Sequence, residues 1–151
     1  MPNTSIANRN KIRIAQQFSR AANTYNSAAD VQLDIAFDAM VYVPPAYKNG
    51  LDIGCGTGRI SQQLATRCNT LVAMDLAFGM LSYAKENSLD ADPSICWLQG
   101  DADCLPMADN SVDMVFSSMA LQWSDNQQKV LAEVARVMTT GAHAVLAIMC
   151  D

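Results

Sequence analysis

Three glycines stand at alternate positions, Gly54, Gly56 and Gly58, between an apolar run and a segment with helical spacing. A strand that passes through such a loop into a helix leaves backbone N–H groups free at the start of the helix. Because glycine has no Cβ, a ligand can approach this backbone closely. In open α/β sheets, such loops bind nucleotide-like cofactors at the carboxyl ends of the strands. The spacing therefore predicts a cofactor loop over residues 51–60.

The loop does not fit the two common diphosphate-binding patterns. A dinucleotide loop G-x-G-x-x-G that starts at Gly54 requires glycine at position 59, where the chain has Arg59. One that starts at Gly56 requires glycine or alanine at position 61, where the chain has Ser61. A Walker A loop would need Gly-Lys-Ser/Thr over positions 59–61. The remaining pattern, D-x-G-x-G-x-G, suits a cofactor without phosphates and disfavours a hydride-transfer enzyme that uses NADH.

Three aspartates stand at or near the ends of three successive predicted strands. Asp52 begins the glycine pattern, and Asp75 follows 21 residues after Gly54. A carboxylate at Asp75 would accept both hydroxyls of a ribose, as the acid at this spacing does in dinucleotide folds. Asp101, after the third strand, would accept the exocyclic amine of an adenine. Any one of them could instead cap a helix or shape a turn, but together they predict a pocket for an adenosine whose other end is cationic.

Length, composition and charge describe one globular domain with an acidic balance. The chain has 151 residues, of which 50% are apolar and 17% charged, and its net charge is −5. This balance argues against nucleic acid as a partner. The first 29 residues differ from the rest, because they contain four basic residues and no acidic one. This basic arm (Arg9, Lys11, Arg13 and Arg20) is either a docking surface for an acidic partner or a solvated helix face.

The cysteines and the single histidine do not indicate a metal site. The five cysteines lie at positions 55, 68, 96, 104 and 150, without C-x-x-C spacing, and His143 begins an apolar run. We therefore expect no zinc, and reduced thiols of a cytoplasmic protein. No apolar segment reaches the roughly 18 residues that cross a bilayer, and residues 1–5 lack the apolar stretch of a signal peptide. The expected location is the cytoplasm, with no membrane partner.

Periodicity predicts two helices followed by alternating strands and helices. The first two helices cover residues 9–20 and 28–42, and the second ends before Pro44. The predicted strands cover residues 50–53, 70–74, 95–98, 112–117 and 142–149, and the helices between them cover residues 58–67, 78–86 and 125–138. Gly141 is the predicted stop of the last helix. Continuous apolar strands that alternate with helices indicate a parallel sheet covered on both faces.

The predicted elements divide the chain into two parts of one structural domain. Residues 1–45 form an N-terminal helical cap, and residues 46–151 form a cofactor-binding α/β core. The chain stops directly after the fifth strand, which leaves an apolar strand at or near a sheet edge. Because proteins normally cover such edges, we expect a truncated chain.

Four stretches form a specific set: Leu-Asp-Ile-Gly-Cys-Gly-Thr-Gly at 51–58, Met-Asp-Leu at 74–76, Gly-Asp-Ala at 100–102 and Leu-Pro at 105–106. This set resembles the class I S-adenosylmethionine-dependent methyltransferases. The resemblance implies a Rossmann-like fold with S-adenosyl-L-methionine as the cofactor. It places the glycine loop and Ser117 at the methionyl end, Asp75 at the ribose, Leu76 and Met80 beside the adenine, and Asp101 and Ala102 at its edge. The predicted cofactor-binding residues are Asp52, Gly54, Cys55, Gly56, Asp75, Leu76, Met80, Asp101, Ala102 and Ser117.

Two further stretches, residues 14–25 and 117–123, are similar to the BioC family, the malonyl-acyl-carrier-protein O-methyltransferases of biotin synthesis. The resemblance implies methylation of the free carboxylate of a malonyl thioester, with acyl carrier protein as the partner. It also implies two more strands and a substrate-covering insertion beyond residue 151. Two alternatives stay open at this stage. One is a methyltransferase for a quinone-type or other free small molecule, and the other is a cofactor-binding module without turnover.

A malonyl carboxylate is already ionised at pH 7, so its methylation needs no general base. Alignment and desolvation of the nucleophile would then supply the catalysis, and we assign no catalytic proton-transfer residue. Tyr25, Gln122 and Trp123 are the candidates for shaping the acceptor pocket; the alternative is ordinary packing, with Trp123 in the core. Cys55 has no histidine nearby in sequence, so we interpret it as a small loop residue and not as a nucleophile.

Overall fold

The computed structural model describes residues 4–22, 30–88 and 94–149. Two helices come first, and strands and helices then alternate. The elements are α1 (Thr4–Ala21), α2 (Asp30–Met40), β1 (Tyr47–Ile53), α3 (Arg59–Ala65), β2 (Cys68–Asp75), α4 (Phe78–Asn87), β3 (Ile95–Gln99), β4 (Val112–Ser118), α5 (Gln127–Val137) and β5 (Met138–Ala147). A short 3-10 helix, Leu121–Trp123, lies between β4 and α5.

The five strands form one parallel sheet in the order β3-β2-β1-β4-β5. The chain adds β2 and β3 on one side of β1, and then β4 and β5 on the other side. The strand order therefore reverses beside β1, where Ile53 pairs with Met74 of β2 and with Ser117 of β4. In open parallel sheets, ligands bind at this reversal, outside the carboxyl ends of the strands. The predicted α/β class with a Rossmann-like parallel sheet is confirmed.

Each face of the sheet carries its own apolar cluster. On one face, Phe116 of β4 packs with residues of α2 and α3, such as Met40 and Leu64. On the other face, Leu51 and Val115 pack with residues of α5. Consecutive residues of a strand point to opposite faces, so strands covered on both sides are apolar throughout. That continuous apolar character is what made the central strands predictable.

The junction between α5 and β5 differs from the prediction. The last helix does not run to a stop at Gly141, because α5 ends at Val137 and β5 begins at Met138. Gly141 lies inside β5 with a φ of 79°. The register of β4 against β5 shifts there, since Val112 pairs with Met138 and Met114 pairs with His143. Gly141 thus permits a bulge, which is a common role of glycine in the left-handed region.

The other predicted elements are present, with bounds that differ by a few residues. The predicted break at residues 22–27 lies mostly outside the described residues, as does the predicted start of the second helix at residue 28. Across the described ranges, none of the helices is both long and apolar enough to cross a membrane.

Candidate active site

One cavity lies across the carboxyl ends of four strands. The glycine loop after β1 borders it, and so do the segments that follow β2, β3 and β4. Helix α1 lies over the cavity with Lys11, Ile14, Ala15 and Phe18, and α2 contributes residues from the side of β4. The spacing of the α1 residues is that of one helix face. The cavity is therefore built from the sheet edge and from the two helices that precede the sheet.

Asp52 lies beneath the glycine loop and is 2% exposed. Its neighbours in β1, Leu51 and Ile53, face α5, so the alternation of the strand points Asp52 to the side of α3. There the Ser61 hydroxyl donates a hydrogen bond to Asp52 Oδ2 at 2.7 Å. Burial raises the pKa of Asp52 to about 7, the Ser61 hydrogen bond lowers it in part, and the charge of Asp75 raises it further. A cationic ligand group in the cavity would favour the ionised form of Asp52.

Gly54 and Gly56 are glycines for different structural reasons. Gly54, with a φ of 74°, leaves no room for a side chain, because a Cβ there would lie 2.2 Å from Ala120 Cβ. Gly56, with a φ of 54°, has nothing within 4 Å of its Cβ position. Gly54 is therefore fixed by packing against the segment after β4. At Gly56 the backbone is open, as close approach by a ligand requires.

Cys55 lies in the same loop, where it lines the cavity and is 8% exposed. Burial raises the pKa of its thiol well above the ordinary value, and the charges of Asp52 and Asp75 raise it further. A thiol with a raised pKa is a poor nucleophile at pH 7. The geometry agrees with the interpretation of Cys55 as a small loop residue.

Asp75, at the end of β2, connects the glycine loop to the start of α4. Its carboxylate accepts the backbone N–H of Gly56 at 2.9 Å on one oxygen and that of Ala77 at 2.8 Å on the other. Burial raises the pKa of Asp75, and the backbone hydrogen bonds from Ala77, Gly56 and Leu76 offset only part of that rise. Each carboxylate oxygen retains a further lone pair, so Asp75 can still accept two ribose hydroxyls. The sequence did not reveal that this residue also orders the loop.

The acids after β3 are paired with a lysine from α1. Lys11 Nζ lies 3.1 and 2.9 Å from the two carboxylate oxygens of Asp101 and 2.6 Å from Asp103 Oδ2. Burial lowers the pKa of Lys11, but the hydrogen bonds to Asp103 and Asp101 outweigh this, and its pKa is raised. Sequence reasoning placed Lys11 only in the basic arm and missed Asp103. The shared helix face of Lys11, Ile14 and Phe18 was the signal that could have found the lysine.

Three other predicted residues, Leu76, Met80 and Ala102, line the same cavity. The segment that follows Asp103 is held against α5. Arg136 donates hydrogen bonds to the carbonyl oxygens of Leu105 and Met107, and Glu133 accepts the N–H of Leu105. The hydrogen bond from Arg136 lowers the pKa of Glu133 to about 2. Helix α5 thereby fixes the chain that carries the acids of the β3 end.

The structure places Ser117, the serine predicted at the end of β4, outside the cavity lining, and its role at the methionyl end stays a prediction. Ser117 is buried, donates its hydroxyl to the carbonyl oxygen of Ile53 at 2.8 Å, and does not line the cavity. Its neighbour Ser118 lines the cavity instead, because side chains alternate along β4 and Ser118 shares the face of Phe116. Within the described part of the chain, the buried Ser118 Oγ has no hydrogen-bond partner. Such an orphaned hydroxyl beside a cavity suits a polar ligand.

The three acceptor-pocket candidates differ in what the structure shows. Tyr25 lies outside the described residues. Gln122 does not line the cavity, and its buried Oε1 has no hydrogen-bond partner among the described residues. Trp123 lines the cavity and is 49% exposed, so it is not the core residue of the alternative interpretation. Its ring meets that of Phe18 edge to face, with 5.8 Å between the centroids. A direct role in acceptor binding stays a prediction for all three.

The cavity offers the chemistry that a nucleoside with a cationic end requires. Asp52 presents a buried carboxyl whose charge is incomplete at pH 7, Asp75 can accept hydroxyls, and Asp101 lies at the far end. The backbone at Gly56 is open to a ligand, and so is the hydroxyl of Ser118. The sequence also matches a known family, described as methyltransferase domain, over residues 51–146. The chain belongs to this methyltransferase family. Both the predicted resemblance and the predicted cofactor, S-adenosylmethionine, are confirmed.

Two relatives extend the comparison. The malonyl-[acyl-carrier protein] O-methyltransferase of Hamiltonella defensa is 39% identical over 140 residues, which cover 92% of this chain and 53% of that protein. The biotin biosynthesis bifunctional protein BioHC of Cellvibrio japonicus is 39% identical over 141 residues, which cover 92% of this chain and 28% of that protein. This methyltransferase chain thus spans about half the length of the first relative and a smaller share of the second.

A solved structure shows the same fold. Phosphoethanolamine N-methyltransferase 1 of Haemonchus contortus, in complex with phosphoethanolamine and S-adenosylhomocysteine, superposes with a TM-score of 0.86. The alignment covers 99% of this chain and 34% of that one, at 22% sequence identity. At this identity the likeness concerns the fold.

Proposed function

We propose that this methyltransferase chain transfers the methyl group of S-adenosylmethionine to the free carboxylate of a malonyl thioester on acyl carrier protein, in biotin synthesis. The observation that carries the proposal is the 39% identity to a malonyl-[acyl-carrier protein] O-methyltransferase and to a biotin biosynthesis protein, over 92% of the chain. The family match over residues 51–146 also contains the glycine loop and the segments after β2, β3 and β4 that border the cavity.

The cavity suits an acceptor that needs no deprotonation. Among the described residues that line it, none is a histidine. His143 lies in β5, where its Nδ1 forms a 3.1 Å hydrogen bond with the Tyr47 hydroxyl. Cys55 has a raised thiol pKa, so it is not a ready base. A carboxylate that is ionised at pH 7 needs no base, so its methylation does not require Asp52, the cavity carboxyl with a pKa of about 7, to accept a proton.

The residues of the cavity would hold the cofactor by complementary chemistry. The cofactor supplies a methyl group on a sulfonium; transfer to a carboxylate oxygen forms an O–C bond, breaks an S–C bond and leaves a neutral ester and a thioether. Asp75 would accept the ribose hydroxyls, and Gly56 would allow close approach of the methionyl end. Asp52, at the same end, would stabilise positive charge. Asp101 and Ala102 would meet the edge of the adenine.

We further propose that residues 1–45 act as a cap over the core of residues 46–151. Helix α1 supports this division, because Lys11 and Phe18 reach residues that follow β3 and β4. Helix α2 has a second role, since its buried Met40 belongs to the apolar cluster of the sheet. In the proposed cap, α1 thus lies over the cavity, and α2 forms part of the apolar core.

The decisive experiment measures transfer of labelled methyl from S-adenosylmethionine to malonylated acyl carrier protein. We expect a methyl ester on the carrier, and no label on a carrier that bears an acetyl group. The assay is run with this chain and with a chimera that adds the remaining C-terminal part of the Hamiltonella relative. Label on a quinone-type or other free acceptor, with none on the carrier, would support the alternative substrate class. Calorimetric cofactor binding without turnover in either protein would support the binding module.

Acyl carrier proteins are acidic, and the exposed side of α1 offers a complementary charge. Arg9, Arg13 and Arg20 are exposed, whereas Lys11 turns inward to Asp101. Arg13→Glu with Arg20→Glu should weaken carrier binding at least tenfold and flatten its salt dependence. Lys48→Glu is the control, because Lys48 is exposed at the start of β1, at the opposite end of the sheet. Unchanged carrier affinity in the double variant would contradict this docking surface.

A further inference from the structure

Two cationic side chains line the cavity within the described residues, Lys11 and Arg59. They differ in their partners. Lys11 is 15% exposed in its side chain and is paired with Asp101 and Asp103. Arg59 is exposed, and its guanidinium has no hydrogen bond or ion pair with any described residue. The positive charge of Lys11 is therefore already compensated, and that of Arg59 is available to a ligand.

Arg59 and Lys11 line the cavity from different elements, α3 and α1. Arg59 is the first residue of α3, directly after the glycine loop, and the next residue, Ile60, also lines the cavity. Leu33 and Ala36 of α2 line the cavity as well, and α2 packs against α3 and β4. Lys11, by contrast, is joined to the end of β3, which lies beyond β2 in the sheet. Arg59 thus borders the part of the cavity between the glycine loop and α2.

An anionic acceptor would meet unfavourable charge in most of this cavity. Asp52 of β1 and Asp75 at the end of β2 line the cavity, and Asp101 and Asp103 line it at the β3 end. Like charges in a partly dehydrated site repel strongly, so a carboxylate needs a cation that is not already neutralised. Among the described cavity residues, Arg59 alone meets this condition. A guanidinium also presents several N–H donors in a plane that matches a carboxylate.

We propose that Arg59 recognises the free carboxylate of the methyl acceptor and thereby selects acyl thioesters that end in a carboxylate. This inference rests on the proposed function and identifies the residue that binds the charged group of the acceptor. Arg59 would hold one carboxylate oxygen by hydrogen bonding and leave the lone pairs of the other free for methyl transfer. The product is a neutral ester, so the attraction to Arg59 falls once the O–C bond has formed. Arg59 therefore favours the substrate over the product.

The test measures binding separately from turnover. Calorimetry with the S-adenosylhomocysteine complex compares malonyl-pantetheine with its methyl ester, which has nearly the same size and no charge at the reacting end. We expect the wild-type protein to prefer the free acid by about tenfold or more, since a charge-assisted pair is at stake. Arg59→Gln should remove this preference, and Arg59→Lys should keep part of it. Lys48→Gln, an equal charge change at the exposed start of β1, should leave the preference unchanged.

The outcomes separate this inference from the proposed function. Equal binding of acid and ester by the wild type, no binding of the acid at millimolar concentration, or an intact preference in Arg59→Gln would each overturn the role of Arg59. A clear preference that Arg59→Gln removes, in a protein that transfers no methyl to the malonyl carrier, would support Arg59 and contradict the proposed function. Where turnover is present, Arg59→Gln should raise KM for the malonyl carrier far more than it lowers kcat. The cofactor affinity should be the same in all four proteins.

Discussion

Two carboxylates of the cavity, Asp52 and Asp103, are both largely withdrawn from water and yet have opposite pKa shifts. Asp52 is 2% exposed and has one hydroxyl donor, and burial raises its pKa to about 7. The side chain of Asp103 is 13% exposed. Burial raises its pKa as well, but the hydrogen bonds from Lys11 and Ser124 outweigh this, and the pKa is lowered. The partner, and not burial alone, decides the charge state.

This difference assigns an orientation to the ligand that the cavity would accept. At the β3 end, Asp101 and Asp103 have a cation from the chain itself, Lys11. At the glycine-loop end, Asp52 has no cationic partner among the described residues. A cationic group of a ligand would be needed to ionise it fully at pH 7. We therefore propose that the cationic methionyl end of the cofactor would lie beside Asp52 and the neutral adenine beside Asp101. Substitutions at Asp52, Asp75, Gly56 and Lys11 test this contrast between the two ends of the cavity.

The largest expected effect is the pH dependence that Asp52 gives to the ligand-free protein. Its pKa in the folded state is about 7, against an ordinary value of 3.8. A raised pKa means that its contribution to stability is complete below about pH 4 and is lost as the pH rises through 7. The loss by pH 8 is at most about 4 kcal/mol, at about 1.36 kcal/mol per pKa unit. Asp75 adds to the same trend, because burial raises its pKa too.

Urea unfolding between pH 5 and pH 8.5 measures this dependence. The free energy of unfolding of the wild type should fall over that range, and Asp52→Asn should flatten the curve. Asp38→Asn, an exposed acid on α2, serves as the control. A wild-type curve that stays flat from pH 5 to pH 8.5 would show that Asp52 is ionised at its ordinary pKa.

Asp75 lies between the two ends, and its removal should abolish most cofactor binding. Asp75→Ala deletes the proposed acceptor for two ribose hydroxyls and releases the N–H groups of Gly56 and Ala77. Hydrogen bonds to a charged group contribute about 1.5–3 kcal/mol each, so we expect the affinity for S-adenosylmethionine to fall at least about a hundredfold. Calorimetry measures this, and Asp38→Ala controls for the lost charge. Undiminished affinity in Asp75→Ala would place the ligand elsewhere.

Alanine substitutions at Gly56 and Gly141 test whether a ligand approaches the backbone of the glycine loop. Gly141 is the control, because it does not line the cavity. Both have a positive φ, and neither has an atom within 4 Å of its Cβ position. Substitution by alanine should cost each variant about 1 kcal/mol of stability, because the left-handed conformation disfavours a side chain. Only Gly56→Ala should also weaken cofactor binding, by about tenfold, since its Cβ would occupy space that the ligand needs. Equal affinities in the two variants would mean that the ligand does not approach Gly56.

Local sequence patterns predicted those parts of the molecule that depend on local order. Strands such as β4 are apolar throughout because both of their faces are covered, and the carboxylates at their ends follow from the strand positions. The bulge at Gly141 was missed because it depends on the pairing of β5 with β4. Ser118 lines the cavity and the predicted Ser117 does not, because a shift of one residue along a strand reverses the face.

The partners of the site residues were harder to predict than the residues themselves. Lys11 and Asp101 are 90 positions apart, and only the packing of α1 over the sheet brings them together. The same holds for Asp52 and Ser61, whose pairing depends on how α3 packs on β1. Sequence spacing thus indicates where a carboxylate lies, whereas the fold decides whether it is charged.

The smallest expected effect comes from removing the cation of the β3 end. Lys11→Met leaves Asp101 and Asp103 without their shared partner, and the pKa of Asp103 should return towards its ordinary value. Because this pKa is lowered in the folded protein, the pair stabilises it above about pH 4, and the contribution disappears as the pH falls through the lowered pKa. We expect a loss of about 1 kcal/mol at pH 7, since the pair is only partly buried.

Unfolding of Lys11→Met and wild type at pH 7 and at pH 3 measures this loss and its pH dependence. Lys11→Arg should restore most of the stability, and Arg13→Met, on the exposed side of α1, should change it little. Equal stability of Lys11→Met and wild type at pH 7 would mean that the β3 end does not depend on its internal cation. Asp52 and Asp103 would then differ only in burial, and the orientation assigned to the ligand would lose its electrostatic basis.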